Sequence, residues 1–254
     1  MRRKNGEESP VSDGLNMKRV IPILLVILTA ACSAMEQSLR AEDINEKNIT
    51  TLGDSGFVPL VKDNSLEGWT IKGGAADFTV EGGVVTGQGK DLQVNSFLCT
   101  DKTYRDFIYA FQFKFMHLEG NSGCMFRGLQ RENGRVFGYQ CEHDNTKRAW
   151  TAGLYDEARR GWLVPGKRDR SDTGKASRKA FTAQGRRLFE KEGWNLIVIQ
   201  CQGDDIKIWL NGEERVNFTD TDAEKKTAEG FFGLQVHRGG SCAVQWKNLY
   251  LKEL

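Results

Sequence analysis

Two carboxylates with a spacing suited to acid–base chemistry stand in the middle of the chain, at Glu142 and Asp144. In a strand, residues two apart face the same side, with their Cβ atoms roughly 6.5–7 Å apart. A retaining glycosidase on a β-sandwich needs a third acid further along that face, because two carboxyl groups about 5–5.5 Å apart must flank the bond. The expected position is occupied by Lys147. The pattern therefore disfavours double displacement.

A divalent metal ion is another use for these groups. Carboxylate oxygens together with one imidazole suit a hard or borderline cation. Glu142 and Asp144, joined by His237, would supply such ligands. The spacing alone does not choose between a metal ligand and a base.

The densest mixture of functional groups lies at residues 155–162. Aromatic faces stack on the C–H surfaces of sugars, while arginines and carboxylates bind hydroxyls or polarise a carbonyl group. The alternative is a self-paired salt-bridge loop that caps the fold. The residues concerned are Tyr155, Asp156, Glu157, Arg159, Arg160 and Trp162.

Short alternating apolar runs, split by Gly, Asn and Asp, follow residue 56 and predict the elements that carry these groups. Strand signals at this density, with one weak helical window at 180–191, favour an all-β sandwich of two antiparallel sheets over βαβ units. Asn211 and Gly212 predict a tight hairpin, and 146–193 is expected to contain long loops. The predicted strands are 78–80, 83–86, 107–118, 123–129, 136–144, 196–202, 205–210, 213–218, 231–236 and 243–251.

Alternation within these strands separates an apolar face from a polar one. From Phe107 to Phe115 every second residue is aromatic, which predicts a core face. The polar side chains of four strands form one patch if these strands share a sheet. An ordinary solvent-facing surface is the alternative, but glycines beside the polar positions favour close approach of a ligand. The patch would comprise Gln112, Lys114, Arg127, Gln140, Glu142, Gln235 and His237.

Composition excludes some classes of protein. The formal net charge is +2 with 28% charged residues, and acids and bases are interleaved, which argues against a nucleic-acid partner. Six cysteines lack any C-x-x-C pair, so zinc-ribbon and redox motifs have no support. Cys124, Cys141 and Cys201 lie in apolar strand patterns and are predicted to be buried free thiols.

The N-terminus has the pattern of an export signal. Lys18 and Arg19 precede an apolar run at 20–28, and small residues follow up to Cys32. The run is too short to span a bilayer as a helix. Lipid attachment at Cys32, which would tether the protein to a membrane, and cleavage near Ala34 both stay open. We predict a signal segment at 1–34, a linker at 35–55, a folded domain at 56–254, and export to the periplasm or cell envelope.

Short motifs follow one another along the folded domain. They are Leu66-Glu67-Gly68-Trp69, Gly120-Asn121-Ser122-Gly123, Gly138-Tyr139-Gln140-Cys141-Glu142, residues 153–163, Trp194-Asn195, Trp209-Leu210-Asn211-Gly212 and Gly233-Leu234-Gln235-Val236-His237. In this order the series resembles the 3-keto-disaccharide hydrolase domain family, with departures at Ala152 and Ala158, where one branch commonly has glycine. The resemblance implies a concanavalin-like jelly-roll sandwich, and an exported protein of bacteria that degrade glycans.

The resemblance also implies cleavage of 3-keto-glycosides. A ketone at C3 of a sugar acidifies the C2 proton, so the glycosidic bond can break by elimination, after which water adds to the enone. Such a site needs a base near C2, an electrophile at the C3 oxygen and an acid at the leaving oxygen. The candidates are Glu142 or His237 as the base, Arg127, Lys114 or a metal held by Glu142, Asp156 and His237 as the electrophile, and Asp156 or Glu157 as the acid.

The remaining polar and aromatic side chains would bind the oligosaccharide or glycoside. A non-catalytic carbohydrate-binding module of the same fold is the alternative function. A module needs aromatics and amides, whereas an enzyme needs a converging acid, base and electrophile, which Glu142, His237 and Arg127 would supply. The candidate substrate-binding residues are Lys114, Asn121, Gln140, Tyr155, Arg159, Arg160, Trp162 and Gln235.

Overall fold

The structure, a computed structural model, describes residues 39–117, 120–166 and 169–254. The predicted signal segment, Cys32 and the first residues of the predicted linker lie outside the described residues. The strands are β1 (Val58–Pro59), β2 (Trp69–Gly73), β3 (Asp77–Glu81), β4 (Val84–Leu92), β5 (Ser96–Thr100), β6 (Phe107–Phe115), β7 (Ser122–Gln130), β8 (Val136–His143), β9 (Leu154–Glu157), β10 (Gly161–Val164), β11 (Asn195–Gln202), β12 (Asp205–Leu210), β13 (Glu213–Thr219), β14 (Phe231–Val236) and β15 (Gly239–Glu253). One α-helix, α1 (Asp172–Leu188), lies between β10 and β11.

The strands pair into two antiparallel sheets. One sheet has eight strands, in the order β13-β12-β11-β6-β15-β4-β3, with β1 paired to β15. The other has seven strands, in the order β10-β9-β8-β7-β14-β5-β2. This arrangement confirms the predicted all-β sandwich. None of the helices in the described part of the chain is long and apolar enough to cross a membrane.

The core lies between the two sheets. The aromatic side chains at alternate positions from Phe107 to Phe115 are buried, as predicted. Tyr109 packs on Phe232 of β14 with ring centroids 4.3 Å apart, and burial of a side chain of this size contributes roughly 1.5–3 kcal/mol. Side chains alternate along a strand, so Phe232 points inward and Gln235, three residues later in β14, lies on the outer face of the seven-stranded sheet.

Local signals account for some elements and not for others. The Asn211-Gly212 turn joins β12 to β13 as predicted, and its φ values of +49° and +85° suit a type I′ hairpin. Strand β5 escapes prediction because it is buried on both faces and lacks alternation. Helix α1 begins well before the predicted window, because Ser171 Oγ caps it by accepting a 3.0 Å hydrogen bond from Gly174 N.

Residues 39–55 pack against the sandwich, so the prediction of a linker at 35–55 is wrong for this part. Two 3-10 helices, Ala41–Asp43 and Ile49–Ser55, occupy the segment. They bury Ile44, Ile49 and Leu52 against apolar residues on the outer face of β6 and β11. Short 3-10 turns bury isolated side chains rather than a continuous stripe, so no sustained period marks them in the sequence.

The cysteines and one histidine are core residues. Cys124, Cys141 and Cys201 are buried free thiols, as predicted. His143 is fully buried and stacks on Phe113, with ring centroids 3.8 Å apart. Neither ring nitrogen has a hydrogen-bond partner among the described residues, and burial lowers the pKa of His143 to about 3. The ring therefore stays neutral and serves the packing of the core.

Candidate active site on the seven-stranded sheet

Glu142 lies near the end of β8, on the outer face of the seven-stranded sheet. Its two oxygens accept hydrogen bonds of 2.8 Å each, one from Asn121 Nδ2 and one from Gln140 Nε2. Gln140 Oε1 in turn accepts a 3.0 Å hydrogen bond from Gln235 Nε2 of β14. Burial raises the pKa of Glu142 to about 7, against the opposing effects of Asn121, Arg148 and Gln140. A carboxyl group whose pKa lies near neutral pH suits proton transfer, because it can both accept and donate a proton there.

A glycine in β7 makes room for this network. Gly123 pairs with Glu142 across β7 and β8. A Cβ atom on Gly123 would come within 2.7 Å of the Gln140 amide, so Gln140 reaches Gln235 only because no side chain stands between them. Glycines in these strands are expected to allow close approach of a ligand. At Gly123 the group that approaches closely is the Gln140 side chain.

Arg148 is the cation of the site, and sequence reasoning misses it. Its Nη2 lies 3.5 Å from Glu142 Oε1, and its guanidinium carbon lies 4.7 Å from the centre of the Trp162 ring. Asp144 shapes the loop, because its Oδ2 accepts hydrogen bonds from Arg148 Nε (2.8 Å) and Trp150 N (2.9 Å). An arginine four residues after this aspartate and two before a tryptophan is the signal that would have identified it.

Helix α1 holds this loop in place. Thr182 Oγ1 accepts a 2.9 Å hydrogen bond from Trp150 Nε1 and donates a 3.1 Å hydrogen bond to the Arg148 carbonyl. The region expected to contain long loops and a weak helical window therefore includes a helix of 17 residues, which supports the loop carrying Arg148.

Two half-buried aromatic residues flank Arg148 on the same face. Tyr155 of β9 pairs with Gln140 of β8, and its ring meets Trp162 of β10 edge-on with centroids 5.1 Å apart. Burial raises the pKa of Tyr155, and the charges of Glu157 and Glu142 raise it further. Tyr155 is therefore a protonated phenol beside the Glu142 carboxyl group.

A cavity of about 570 Å³ adjoins these residues. The β9–β10 hairpin, the β7–β8 turn and the end of β14 line it, and Tyr155, Glu157 and His237 contribute. Burial raises the pKa of Glu157 and lowers that of His237. His237 Nδ1 is 2.6 Å from the Arg238 carbonyl oxygen, which can only accept, so Nδ1 donates and Nε2 of the neutral ring is left as an acceptor.

The placement of Lys114 and Gln112 in the patch is wrong. Both lie on β6, which belongs to the eight-stranded sheet. The Lys114 ammonium sits 4.9 Å from the Trp194 ring centre. Alternation assigns a side chain to a face of its own strand, but only the strand order decides which sheet carries it.

The placement of Arg127 is also wrong. The pairing of β7 with β8 shifts between Phe126 and Leu129, and Arg127 takes the left-handed conformation with φ +46°. The guanidinium is buried and donates to the backbone oxygens of Arg105 (2.7 Å) and Gly203 (2.9 Å) and to Asp106 Oδ1 (2.8 Å). This bulge breaks the period on which the prediction rests, and Arg127 serves as a structural ion-pair partner.

Asp156, Arg159 and Arg160 form the self-paired salt-bridge cluster that was the alternative for this segment. Asp156 is fully buried and pairs with Tyr139 of β8, away from the face that carries Tyr155. Its oxygens bind Arg159 Nε (2.7 Å) and Arg160 Nε, and Arg160 also binds Asp220 at 2.7 Å. The assignments of Asp156 as the acid, and of Arg159 and Arg160 as free substrate ligands, are therefore wrong.

The metal site proposed for Glu142, Asp156 and His237 does not form. Asp156 faces the other side of the sheet, with both oxygens bound by arginines. Within the described residues, no group of three or more His, Cys, Asp or Glu side chains is arranged to hold a metal ion. These residues do not fit the ligand set of a divalent cation.

Comparisons with known proteins agree with the fold. A candidate glycosyl hydrolase from Parabacteroides distasonis ATCC 8503 superimposes with a TM-score of 0.54 at 17% identity, covering 83% of this chain and 98% of that one. A Bacillus subtilis protein of unknown function with a galectin-like fold gives a TM-score of 0.50 at 10% identity, covering 74% and 90%. No protein with a curated description matches the sequence. The sequence model of the 3-keto-alpha-glucoside-1,2-lyase-like domain matches residues 56–252, and the chain belongs to that family.

Proposed function

We propose that this protein cleaves the glycosidic bond of 3-keto-glycosides by elimination and hydration at the outer face of the seven-stranded sheet. The observation that carries the proposal is Glu142, a buried carboxyl group with a pKa of about 7, held by two amides beside Arg148. Membership of the family supports the substrate class.

Glu142 is the base in this proposal. At neutral pH about half of the Glu142 side chains are ionised, so the carboxylate can accept the C2 proton and later return it. Arg148 donates hydrogen bonds to the C3 oxygen while negative charge develops there. Arg148 thereby takes the role that sequence reasoning gave to Arg127 or Lys114.

Tyr155 is the acid in this proposal. Its raised pKa keeps the phenol protonated, and it lies on the strand next to Glu142. When the enolate collapses, the C1–O bond breaks, C1 and C2 become doubly bonded, and the phenol protonates the leaving oxygen. Water then adds to C1 as a hydroxyl group and gives its second proton to the tyrosinate, while Glu142 returns to C2 the proton that it took from there. The sum is hydrolysis of the glycosidic bond.

A carbohydrate-binding module is the second candidate function. The half-buried rings of Tyr155 and Trp162 beside buried amides favour it, because aromatic faces and amides are what a sugar-binding surface needs. A module would use Glu142 only as a hydrogen-bond acceptor. Dependence of sugar release on the ionisation of Glu142 therefore separates the two functions.

The test is release of free sugar from 3-keto-trehalose or a 3-keto-glucoside by the purified protein, with and without a chelator. We expect turnover that persists with the chelator and falls about 100- to 10,000-fold in Glu142→Gln. Lys114→Met, on the other sheet, is the matched control and should keep full activity. Binding of ordinary glycans without turnover of any 3-keto substrate would overturn the enzyme in favour of the module.

A further inference from the structure

The cavity beside the Glu142 network carries an excess of positive charge. Four arginines and two acidic residues are among those that line it, and only Glu157 turns its carboxylate toward the cavity, because that of Asp156 lies on the inner side of the sheet. Asp156 neutralises Arg159 and Arg160 together with Asp220, which lies outside the lining. Glu157 is the carboxylate left to face the other two arginines.

Those two arginines, Arg135 and Arg238, come from different turns and make no tight ion pair. Arg135 Nη2 is 3.7 Å from Glu157 Oε1, beyond ordinary hydrogen-bond length, and the Arg135 side chain is 60% exposed. In the described part of the chain, the Arg238 guanidinium has no hydrogen bond or ion pair. Its charge nevertheless acts on Glu157 and lowers the pKa of that carboxyl group against the larger effect of burial.

The backbones that carry both arginines are fixed. Arg238 N donates a 2.9 Å hydrogen bond to Asn95 Oδ1, and Arg135 N donates a 3.2 Å hydrogen bond to Asn133 Oδ1. All four residues line the cavity. The backbones of both arginines are thus fixed at the wall of the cavity, and most of the donors of their guanidinium groups are unused.

We propose that this cavity binds an anionic substituent, a carboxylate or a sulfate ester, on the glycan unit next to the sugar held at Glu142. The proposal rests on the proposed function in that the ligand is a glycan. Guanidinium forks bind carboxylate and related oxyanions with two parallel hydrogen bonds, which a neutral hydroxyl cannot match. A volume of about 570 Å³ also exceeds the need of a single small anion and falls among typical ligand sites.

The test uses equilibrium binding to the full chain, measured by calorimetry. The probes are a disaccharide that contains glucuronate, its neutral counterpart with glucose in that place, and the 6-sulfate of the neutral disaccharide. We expect at least one anionic probe to bind about tenfold or more tightly than the neutral one, with a preference that shrinks as salt is added. The better anion identifies the substituent. Equal affinity for all three probes would overturn the proposal.

Substitutions with opposite expected effects separate a site from general electrostatics. Arg238→Met or Arg135→Met should remove most of the preference for the anion, whereas Glu157→Gln should strengthen anion binding because it removes the competing carboxylate. Arg170→Met changes the net charge equally at an exposed position outside the cavity, and should leave the preference intact. The anion site is contradicted if Arg170→Met loses as much of the preference for the anionic probe as Arg238→Met does. It is also contradicted if Glu157→Gln binds the anionic probe no more tightly than the wild type.

The two proposals fail in distinguishable ways. Binding with anion preference but no turnover of 3-keto substrates removes the proposed activity and leaves the anion site. Turnover with equal affinity for the three probes leaves the activity and removes the anion site.

Discussion

The carboxylate of Glu142 and the guanidinium of Arg148 lie 3.5 Å apart, joined across a tight loop. Asp144 brings the two groups together. Its carboxylate accepts hydrogen bonds from Arg148 Nε and the Trp150 amide, which turns the chain back toward the end of β8. Burial favours the neutral form of Glu142, while the permanent charge of Arg148 favours the ionised form. The protonation of the carboxyl group therefore depends on the arginine.

The first prediction concerns the pH dependence of turnover. If Glu142 is the base, kcat/KM should rise with pH through about 7, where Glu142 loses its proton. Arg148→Met should move this rise to higher pH and lower the plateau about 100-fold or more. Arg148→Lys keeps the positive charge, so its profile should lie between those of Arg148→Met and the wild type. A profile unmoved in Arg148→Met would show that the arginine does not act on the base.

The second prediction concerns the stability of Glu142→Gln. The folded-state pKa of Glu142 lies above its unfolded value of 4.5, so the wild type loses stability as pH rises from 4.5 through about 7. The variant lacks this loss. Its free energy of unfolding relative to wild type should therefore increase by about 2–3 kcal/mol between pH 5 and pH 8. Urea titrations at both pH values measure the difference, and a constant difference would mean that Glu142 is not perturbed by burial.

The third prediction concerns Gly123. In Gly123→Ala the new Cβ would displace the Gln140 amide from its hydrogen bonds to Glu142 and Gln235. We expect kcat/KM to fall about 10- to 100-fold, and the pKa seen in the pH profile to rise because a hydrogen bond to the carboxylate is lost. Gly53→Ala, where the added atom meets nothing within 4 Å, is the control. Equal kinetics in the two variants would contradict the role of the amide network.

The fourth prediction concerns acid stability and His143. Burial lowers the folded-state pKa of His143 to about 3 against 6.5 when unfolded. Stability is therefore present above pH 6.5 and is lost as pH falls toward 3, because the unfolded state takes up a proton that the folded state refuses. His143→Phe keeps the stacking on Phe113. Between pH 6.5 and pH 4 its free energy of unfolding should fall by about 3 kcal/mol less than that of the wild type. The exposed residue in His117→Gln is the control, and parallel curves for wild type and His143→Phe would refute the assignment.

The fifth prediction concerns Ala158 in the β9–β10 turn. Ala158 has φ +55°, a left-handed conformation that an alanine side chain disfavours and glycine accepts. Ala158→Gly should raise the free energy of unfolding by about 0.5 kcal/mol, since relief of strain exceeds the added flexibility of the unfolded chain. Ala183→Gly, at an exposed position in α1, should instead lose about 1 kcal/mol. Destabilisation in both variants would show that Ala158 is unstrained.

Much of the fold follows from local patterns. Alternation from Phe107 to Phe115 predicts a core strand, and the Asn211-Gly212 pair predicts a hairpin, because both depend on neighbours within a few residues. Strands β9 and β10 have only four residues each, and β9 carries two acidic residues, so their pattern resembles a loop. The packed segment at 39–55 is missed because isolated apolar residues give no period.

The candidate site likewise has some features that local sequence patterns predict and others that depend on tertiary contacts. The sequence alone determined that Gln140 and Glu142 share one face of a strand, and that Gln235 and His237 share one face of another, because side chains alternate along any strand. Only the tertiary structure decided that β8 and β14 share a sheet while β6, with Lys114, lies in the other. It also decided that a bulge turns Arg127 away, that Tyr155 rather than Asp156 faces the site, and that Arg148 reaches Glu142. Strand order, register and loop return depend on contacts between residues far apart in the chain, and no local pattern encodes them.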